Sequence, residues 1–253
     1  MNEKNPLFSI ITVTYNAADN LAPTMKSVAS QSCKSYEHIV MDGVSKDDTL
    51  VIARNFATPN TNIISSPDNG LYDAMNKAMG VARGEYLIFL NAGDSFHEET
   101  TLEKMATAAF DNDFPGVIYG QTILVDAQRQ YVGERHLRAP DVLTLDSFRN
   151  GMLVCHQAFT VLRRIAPLYN LKWRFSADYE WCIRCLQHSR RNVNLGCTVI
   201  DYLSEGMTTR NRRASLIERF KIMSHYYGFV PTAFRHIGFC FRALRKKFKN
   251  NKK

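Results

Sequence analysis

The first ninety residues alternate short apolar runs with segments whose apolar residues recur every three or four positions. The runs are rich in Ile, Val and Phe, which is typical of strands buried on both faces of a parallel sheet. Helices predicted between such strands favour an α/β fold with right-handed crossovers. The predicted strands lie at residues 7–14, 36–41, 62–65 and 86–90, and the predicted helices at 20–31, 48–56 and 71–82.

The pattern becomes less regular in the second half of the chain. It predicts a helix at 98–110, strands at 117–125 and 130–134 joined by a hairpin turn, a strand after Gln157, a helix at 177–188, a strand at 193–200 and two C-terminal helices. No internal repeat or low-complexity linker interrupts the sequence. We therefore predict one large domain over residues 1–210 and a helical extension over 211–253.

The most informative stretch runs from residue 65 to residue 94. Pro67 to Gly70 predict a turn, because proline fixes φ and glycine tolerates positive φ. The helix that follows has an apolar face, made of Leu71, Met75, Ala78, Met79 and Ala82, and a polar face, made of Asp73, Asn76 and Lys77. A buried strand comes next and ends in an acidic loop, residues 91–94. Since ligands of open α/β sheets bind beyond the carboxyl ends of the strands, this loop is a candidate ligand site.

Polar and acidic residues follow three of the predicted strands. They are Thr14, Tyr15 and Asn16 after the first, Asp42, Ser45 and Asp48 after the second, and Asn91 and Asp94 after the fourth. A dinucleotide-binding fold would need GxGxxG after the first strand, and a P-loop is also absent from the sequence. Such a set of side chains can instead bind a nucleoside through hydrogen bonds, with a divalent metal on its diphosphate.

The positive charge is concentrated at the C-terminus. The formal net charge is +8, and residues 232–253 contain eight Lys or Arg and no acid, so residues 1–231 are formally neutral. Phe234, Ile237, Phe241, Leu244 and Phe248 recur at helical spacing beside these charges. This pattern predicts a basic amphipathic helix that lies in a membrane interface. The alternative is a helix packed on the core with a frayed end; nucleic-acid binding is disfavoured, because nothing in the core suggests base readout.

The cysteines and the N-terminus argue for a cytoplasmic protein. The Cys182–Cys185 pair forms a CxxC inside a predicted helix without a second pair, which favours buried thiols over zinc or redox chemistry. The apolar run at 7–13 is too short for a signal peptide, and no run approaches the ~18 apolar residues of a membrane span.

Four motifs together resemble one enzyme family. They are SIITVTYN, HIVMDGVSKDDT, SPDNGLYDAMNKA and GEYLIFLNAGD, and their order and spacing over residues 7–210 are similar to family 2 glycosyltransferases with the GT-A fold. The resemblance is to the subgroup that builds bacterial capsule and exopolysaccharide, including colanic acid. It implies a GT-A fold, a mostly parallel central sheet flanked by helices.

The resemblance also implies roles for individual residues. Asp94 matches the last aspartate of the family's metal-binding region and would hold Mn²⁺ or Mg²⁺, although Asn91 stands where the family often has a further aspartate. The nucleotide and the donor sugar would contact Thr14, Tyr15, Asn16, Asp42, Ser45, Asp48, Asn69, Asn76 and Asn91.

A catalytic base is implied in the second half of the chain. Asp178 lies in SADYEW, which resembles the family's acidic acceptor-side motif, and inverting transfer needs a carboxylate to take the acceptor proton. Glu180 lies two positions on and points elsewhere on a helix, so it is the weaker candidate. His156 resembles a histidine motif of the subgroup and would lie near the diphosphate or the acceptor.

The implied function is metal-dependent, inverting transfer of one sugar to a saccharide on a polyprenyl diphosphate, with a UDP-sugar favoured over a GDP-sugar as donor. The protein would sit at the inner face of the membrane and bind no nucleic acid. The alternative is a non-catalytic GT-A module that binds a nucleotide sugar or scaffolds an assembly complex. Plainer structural roles also stay open: a helix cap for Asp178, turn ordering for Asp42 and Asp48, a solvated loop acid for Asp94, a solvated helix face for Asn76, and a buried structural group for His156.

Overall fold

The computed structural model describes residues 5–204 and 212–238. The strands in these ranges are β1 (Phe8–Thr14), β2 (Tyr36–Asp42), β3 (Thr61–Ser65), β4 (Tyr86–Phe89), β5 (Ser95–Phe96), β6 (Val117–Val125), β7 (Tyr131–Glu134), β8 (Phe159–Leu162) and β9 (Asn192–Leu203). The helices are α1 (Ala18–Ala29), α2 (Thr49–Asn55), α3 (Leu71–Val81), α4 (Thr101–Asp111), α5 (Ala177–His188) and α6 (Arg212–Tyr227), and residues 229–238 are also helical.

All the strands in these ranges belong to one sheet. Its order is β3-β2-β1-β4-β8-β6-β9-β5, and β7 pairs with β6. The half formed by β3, β2, β1 and β4 is parallel, as the alternation of strands and helices predicts. The other half is mixed, because β8 runs antiparallel to β4 and β6 whereas β9 runs parallel to β6. This order places the carboxyl ends of β1, β2 and β4 side by side at one edge.

Burial explains why the first-half segments form these strands. Every residue of β1, β2 and β4 is buried, so these runs are covered by helices on both faces of the sheet. Gly84 allows β4 to start close against β1, because a Cβ on it would lie 2.4 Å from the backbone nitrogen of Ser9. Glycine is therefore required there by close packing and not by a turn.

An aromatic cluster fills the space between the sheet and α5. Trp181 of α5 stacks on Tyr169 with ring centroids 4.9 Å apart, and it meets Phe89 of β4 edge-on at 5.4 Å. Large buried aromatic groups contribute much of a core's stability, so this cluster fixes α5 against the carboxyl end of β4.

Helix α6 packs on the core of the fold through α5. The carboxylate of Glu218 accepts the backbone N–H groups of Arg174 and Phe175, at 2.9 and 2.8 Å, just before α5 begins. Tyr226 donates to Glu180 of α5 at 2.9 Å. Ile222, Met223 and Tyr227 of α6 belong to the same buried cluster as β1 and β4. The first helix of the predicted extension is thus part of the packed structure.

Some predictions differ from the structure or lie beyond it. The two-residue strand β5 was not predicted, because two residues carry no periodicity. Residues 239–253 of the predicted amphipathic helix lie outside the described residues; within 229–238, Phe234 and Ile237 are exposed. The described cysteines are free thiols, and Cys182 and Cys185 are buried. No helix in the described ranges is long and apolar enough to cross a membrane.

Candidate active site

A closed hydrogen-bond network joins the ends of β1 and β2 around Asp42. Its side chain is fully buried and accepts from Thr14 Oγ1 (3.2 Å), Ser45 Oγ (2.5 Å), the Ser45 backbone N–H (3.0 Å) and Ser65 Oγ (2.7 Å). Burial alone would raise the pKa of Asp42, but these hydrogen bonds outweigh it and hold the pKa below its usual value. Four bonds fill the acceptor capacity of a carboxylate. The predicted contact of Asp42 with a nucleoside therefore requires a protein donor to be displaced, and it stays a prediction.

The loops after β1 and β2 are also joined to each other. Asn16, at φ +48°, accepts the backbone N–H of Lys46 with Oδ1 at 2.8 Å, and its own N–H donates to Ser45 Oγ at 2.9 Å. Asp47 accepts the N–H of Ala18 at 3.1 Å. A non-glycine residue at positive φ is held there only by surrounding contacts, so these bonds explain how the loop keeps its shape.

The loop after β2 leads directly into helix α2. Asp48 occupies the N-cap position, but its exposed side chain makes no capping hydrogen bond. Asp47, one position earlier in the same loop, accepts the backbone N–H of Thr49 at 3.1 Å. The Asp48 carboxylate therefore faces solvent.

The network leaves an open face at the ends of β1 and β2. The Tyr15 ring is 66% exposed. A Cβ on Gly43 would lie 3.4 Å from Cδ2 of Tyr15 and 2.5 Å from Oδ2 of Asp68, so the ring and the carboxylate approach the bare backbone of Gly43. Asp68 also orders its own turn by accepting the N–H of Gly70 at 2.8 Å. An exposed ring beside an acid can hold a flat base and a ribose hydroxyl.

Side chains on the polar face of α3 form hydrogen bonds with the loops next to the helix. Asn69 donates its N–H to Asp73 Oδ2 at 2.9 Å, and Asp73 pairs with Lys77 at 3.2 Å. Asn76 makes two bonds to the backbone of Tyr169: Nδ2 donates to the carbonyl at 3.0 Å, and Oδ1 accepts the N–H at 2.7 Å. Asn76 therefore clamps the β8–α5 connection to α3, whereas Asn69 lies exposed at the start of the helix.

Asp94 is buried just beyond the end of β4. Its Oδ1 accepts the backbone N–H of Leu203 at 2.9 Å, and its Oδ2 accepts Gln157 Nε2 at 2.8 Å. Burial raises the pKa of Asp94 to about 7, although both hydrogen bonds and the charge of Arg129 act in the opposite direction. Two hydrogen bonds do not fully replace the water that a buried carboxylate has lost, so nearby positive charge would further stabilise its ionised form.

The side-chain oxygen of Asn91, three positions before Asp94, has no hydrogen-bond donor in the described part of the chain. Asn91 Oδ1 is buried and accepts no hydrogen bond. The described residues contain no group of three or more His, Cys, Asp or Glu side chains that could hold a metal ion. Amide and carboxylate oxygens are nevertheless the ligands of Mg²⁺ and Mn²⁺, which also take phosphate oxygens. Asn91 and Asp94 therefore fit a divalent cation that shares its coordination with a diphosphate.

His156 is enclosed by aromatic rings. Its ring stacks on Phe89 with centroids 5.1 Å apart, and its Nε2 lies 2.7 Å from the hydroxyl of Tyr169. Burial lowers the pKa of His156 to about 4, against a small opposing effect of the Asp178 charge. The residue is thus neutral near pH 7 and built into the core; its predicted contact with diphosphate or acceptor stays a prediction.

Asp178 lies in the first turn of α5, after the N-cap residue Ser176. It is partly exposed, and its Oδ1 accepts from the hydroxyl of Tyr72 at 3.2 Å and from the N–H of Tyr179 at 2.8 Å. Asp178 is therefore not the N-cap. The bond to Tyr72 brings it to α3, two residues beyond Gly70, across 106 positions of sequence.

Four side chains of this region were missed by sequence reasoning. Tyr72 and Asp68 lie inside SPDNGLYDAMNKA, so their place in that motif was an available signal. Ser65 and Gln157 reach Asp42 and Asp94 across 23 and 63 positions of sequence, and the sequence carries no signal for these contacts.

A half-parallel sheet with polar loops at the ends of β1, β2 and β4 is the arrangement of GT-A nucleotide-sugar transferases. Residues 9–166 match the family model "Glycosyl transferase family 2". The chain belongs to this family and is a glycosyltransferase.

Curated relatives agree with this assignment. A PGL/p-HBAD biosynthesis glycosyltransferase of Mycobacterium bovis is 37% identical over 191 residues, which cover 72% of this chain and 71% of the relative. TuaG of Bacillus subtilis, named for teichuronic acid biosynthesis, is 30% identical over 159 residues, 61% of this chain and 62% of TuaG. Neither name supports the narrower capsule or colanic-acid subgroup, which stays a prediction.

Solved structures confirm the GT-A fold. S. aureus TarS 1–349 in complex with UDP-GlcNAc superimposes with a TM-score of 0.65 at 21% identity, covering 85% of this chain and 64% of TarS 1–349. A second structure is mannosyltransferase PcManGT from Pyrobaculum calidifontis in complex with GDP-Man and Mn²⁺. Its TM-score is 0.62 at 16% identity, and the aligned part covers 92% of this chain and 74% of PcManGT.

The buried histidine predicts a pH-dependent stability. Because the pKa of His156 is about 4 in the folded protein and near 6.5 when exposed, the unfolded chain binds more protons between these values, and stability falls as pH drops from 6.5 to 4. Between pH 7 and pH 5 His156 alone should remove about 2 kcal/mol. Urea unfolding measures how much free energy of unfolding is lost between pH 7 and pH 5. This loss should be smaller by about that amount in His156→Gln than in wild type, whereas exposed His188→Gln should match wild type. An identical pH dependence for His156→Gln and wild type would contradict this.

Proposed function

We propose that this glycosyltransferase transfers one sugar, with inversion, from a nucleoside-diphosphate donor to a hydroxyl of a growing surface polysaccharide. A UDP-sugar is the preferred donor, and the acceptor is a saccharide carried on a polyprenyl diphosphate. Asp178 is the general base, and Asn91 and Asp94 take part in metal binding. The names of the relatives support a role in glycoconjugate assembly.

One observation carries the proposal: the hydrogen bond from Tyr72 to Asp178. It joins the helix that begins at the SPDNG turn to Asp178 of the SADYEW motif, so that the proposed donor-side motif and the proposed acceptor-side acid meet at one place. A non-catalytic module would have no need to hold a partly exposed carboxylate there.

The chemistry follows from these positions. The acceptor oxygen attacks the anomeric carbon, the bond from that carbon to the phosphate oxygen breaks, and its electron pair leaves with the nucleoside diphosphate. The proton of the acceptor hydroxyl goes to a carboxylate oxygen of Asp178. A base of this kind contributes about 10²–10⁴-fold to the rate.

The nucleoside would occupy the open face beside Tyr15. The Tyr15 ring would stack on the base, and the carboxylates of Asp68 and Asp48 would accept hydrogen bonds from the ribose. Thr14, Asn16, Asp42 and Ser45 then support the site by fixing the loop, since their polar groups bond to one another.

Asn91 Oδ1 and Asp94 would hold a divalent cation together with the donor diphosphate. When bound, the cation would neutralise the charge that develops on the leaving diphosphate. The unpartnered Asn91 oxygen supports this assignment, because a buried acceptor without a donor costs free energy that a cation would offset.

The C-terminal segment supports contact with the membrane. Phe229, Val230, Phe234 and Ile237 are each more than half exposed, and seven Lys or Arg follow within residues 239–253. Apolar side chains next to basic ones fit an anionic lipid surface, to which each nearby Lys or Arg adds up to about 1 kcal/mol.

Asp178→Asn tests the base. The substitution keeps the shape and an acceptor for Tyr72 but removes the proton acceptor, so kcat should fall by about 10²-fold or more while nucleotide affinity stays unchanged. A panel of UDP- and GDP-sugars, with nucleotide release and calorimetric binding measured in parallel, checks this. A wild-type rate for Asp178→Asn would remove Asp178 from the chemistry, and nucleotide binding without turnover of any donor would favour the non-catalytic module.

Asp94→Asn tests the metal site. The variant keeps an oxygen acceptor but loses the charge. The factor by which Mn²⁺ increases UDP affinity should therefore be about tenfold smaller than in wild type. Asn91→Asp should increase the Mn²⁺ effect, and Asp19→Asn, on the exposed start of α1, is the matched control. UDP and GDP titrations with and without Mn²⁺ measure this. An unchanged metal effect in Asp94→Asn would exclude Asp94 as a ligand.

A chain truncated after residue 238 tests the membrane contact without removing the described helix. It should cosediment at least tenfold less with anionic vesicles, and binding of the full chain should weaken with salt, because surface charges are screened. Phe234→Ser with Ile237→Ser should also reduce binding, whereas Val142→Ser, exposed elsewhere, should not. Equal cosedimentation of the full-length and truncated chains would refute the contact.

A further inference from the structure

The two carboxylate oxygens of Asp178 have different surroundings. Oδ1 accepts two hydrogen bonds, from the hydroxyl of Tyr72 and from the backbone N–H of Tyr179. No residue within 5–204 or 212–238 donates a hydrogen bond to Oδ2. Within the described ranges, one oxygen is thus fixed and the other is available to a substrate.

The Tyr72 side chain that makes this bond is itself held rigidly. It is 7% exposed, and its ring stacks on Tyr169 with centroids 5.5 Å apart and an interplanar angle of 26°. Asn76, one turn further along α3, binds both backbone groups of Tyr169. The Tyr169 hydroxyl in turn meets His156 Nε2 at 2.7 Å. The Tyr72 hydroxyl therefore has little freedom to leave Asp178.

The direction of this hydrogen bond is also fixed. Burial, together with the nearby charge of Asp178, raises the pKa of Tyr72 well above its usual value. The phenol keeps its proton at every working pH and can only donate to the carboxylate. It is therefore a permanent donor and takes no part in proton transfer.

We propose that Tyr72 is a positioning residue for the base: by holding Oδ1, it turns Oδ2 toward the acceptor hydroxyl. This inference rests on the proposed role of Asp178. Without the Tyr72 hydroxyl, the Tyr179 N–H is the one donor among the described residues that orients the carboxylate, and the group can rotate about its Cβ–Cγ bond. Proximity and orientation contribute strongly to rates, so a misdirected base is a slower one even when the substrates bind normally.

Tyr72→Phe is the decisive variant, because it keeps the ring stacked on Tyr169 and removes only the hydroxyl. With the donor that wild type turns over in the sugar-nucleotide panel, kcat should fall about tenfold while donor KM and UDP affinity stay within twofold. Tyr86→Phe is the matched control: it removes another buried hydroxyl, bonded to the Pro115 carbonyl at 2.8 Å, and should leave kcat unchanged. Rates are compared at a temperature at which circular dichroism shows every variant folded.

A double-mutant cycle separates positioning from general loosening of the fold. In the Asp178→Asn background, adding Tyr72→Phe should lower the residual rate less than twofold, because there is no base left to orient. Full additivity of the two effects, or a wild-type kcat for Tyr72→Phe, would overturn the positioning role while Asp178 kept its own. A wild-type protein that releases nucleotide from no donor, or an Asp178→Asn variant with wild-type kcat, would overturn the proposed function and this inference with it.

Discussion

A buried carboxylate is stable only when donors or a cation replace the water it has lost. Two acids at the same edge of the sheet meet this requirement in opposite ways. Asp42 accepts four hydrogen bonds and has a lowered pKa, so it needs nothing further. Asp94 accepts two, and its pKa rises to about 7. The first acid therefore orders the loops, whereas the second lacks compensating positive charge, which a bound cation would supply.

Asp178 represents a third solution, suited to a base. It is partly exposed, and its Oδ1 accepts both of the hydrogen bonds that the described residues donate to it. Its donor Tyr72 belongs to the parallel half of the fold, whereas Asp178 lies in the helix between β8 and β9 of the mixed half. Neither half alone would form this pair. The aromatic cluster around Trp181 and Tyr169 sets the distance between the two halves, so packing far from solvent determines where the acid stands.

The sequence predicted what local periodicity determines. The helices α3 and α5 and the strands β1, β2 and β6 were found within one or two residues, because each has a long apolar pattern. The hydrogen-bond partners of the site were not predictable in the same way. The position of Asp42 at the end of a strand predicts a ligand, and its contacts with Thr14 and Ser65, 28 and 23 residues away, are needed to show that its acceptor sites are filled. The antiparallel course of β8 depends likewise on partners distant in sequence, which periodicity does not encode.

The C-terminal segment has one side packed on the core and one exposed side. On its inner side α6 holds the entry to α5, because Glu218 binds the two backbone groups that precede Ser176 and Asp178. On the outer side Leu216 and Ile217 of α6 are exposed, as are Phe229 and Phe234 beyond it. A surface that binds these apolar residues would therefore contact the same segment that positions the proposed base. Under the proposed membrane contact, a lipid-linked acceptor would arrive beside the helix that carries Asp178, with no separate domain needed to deliver it.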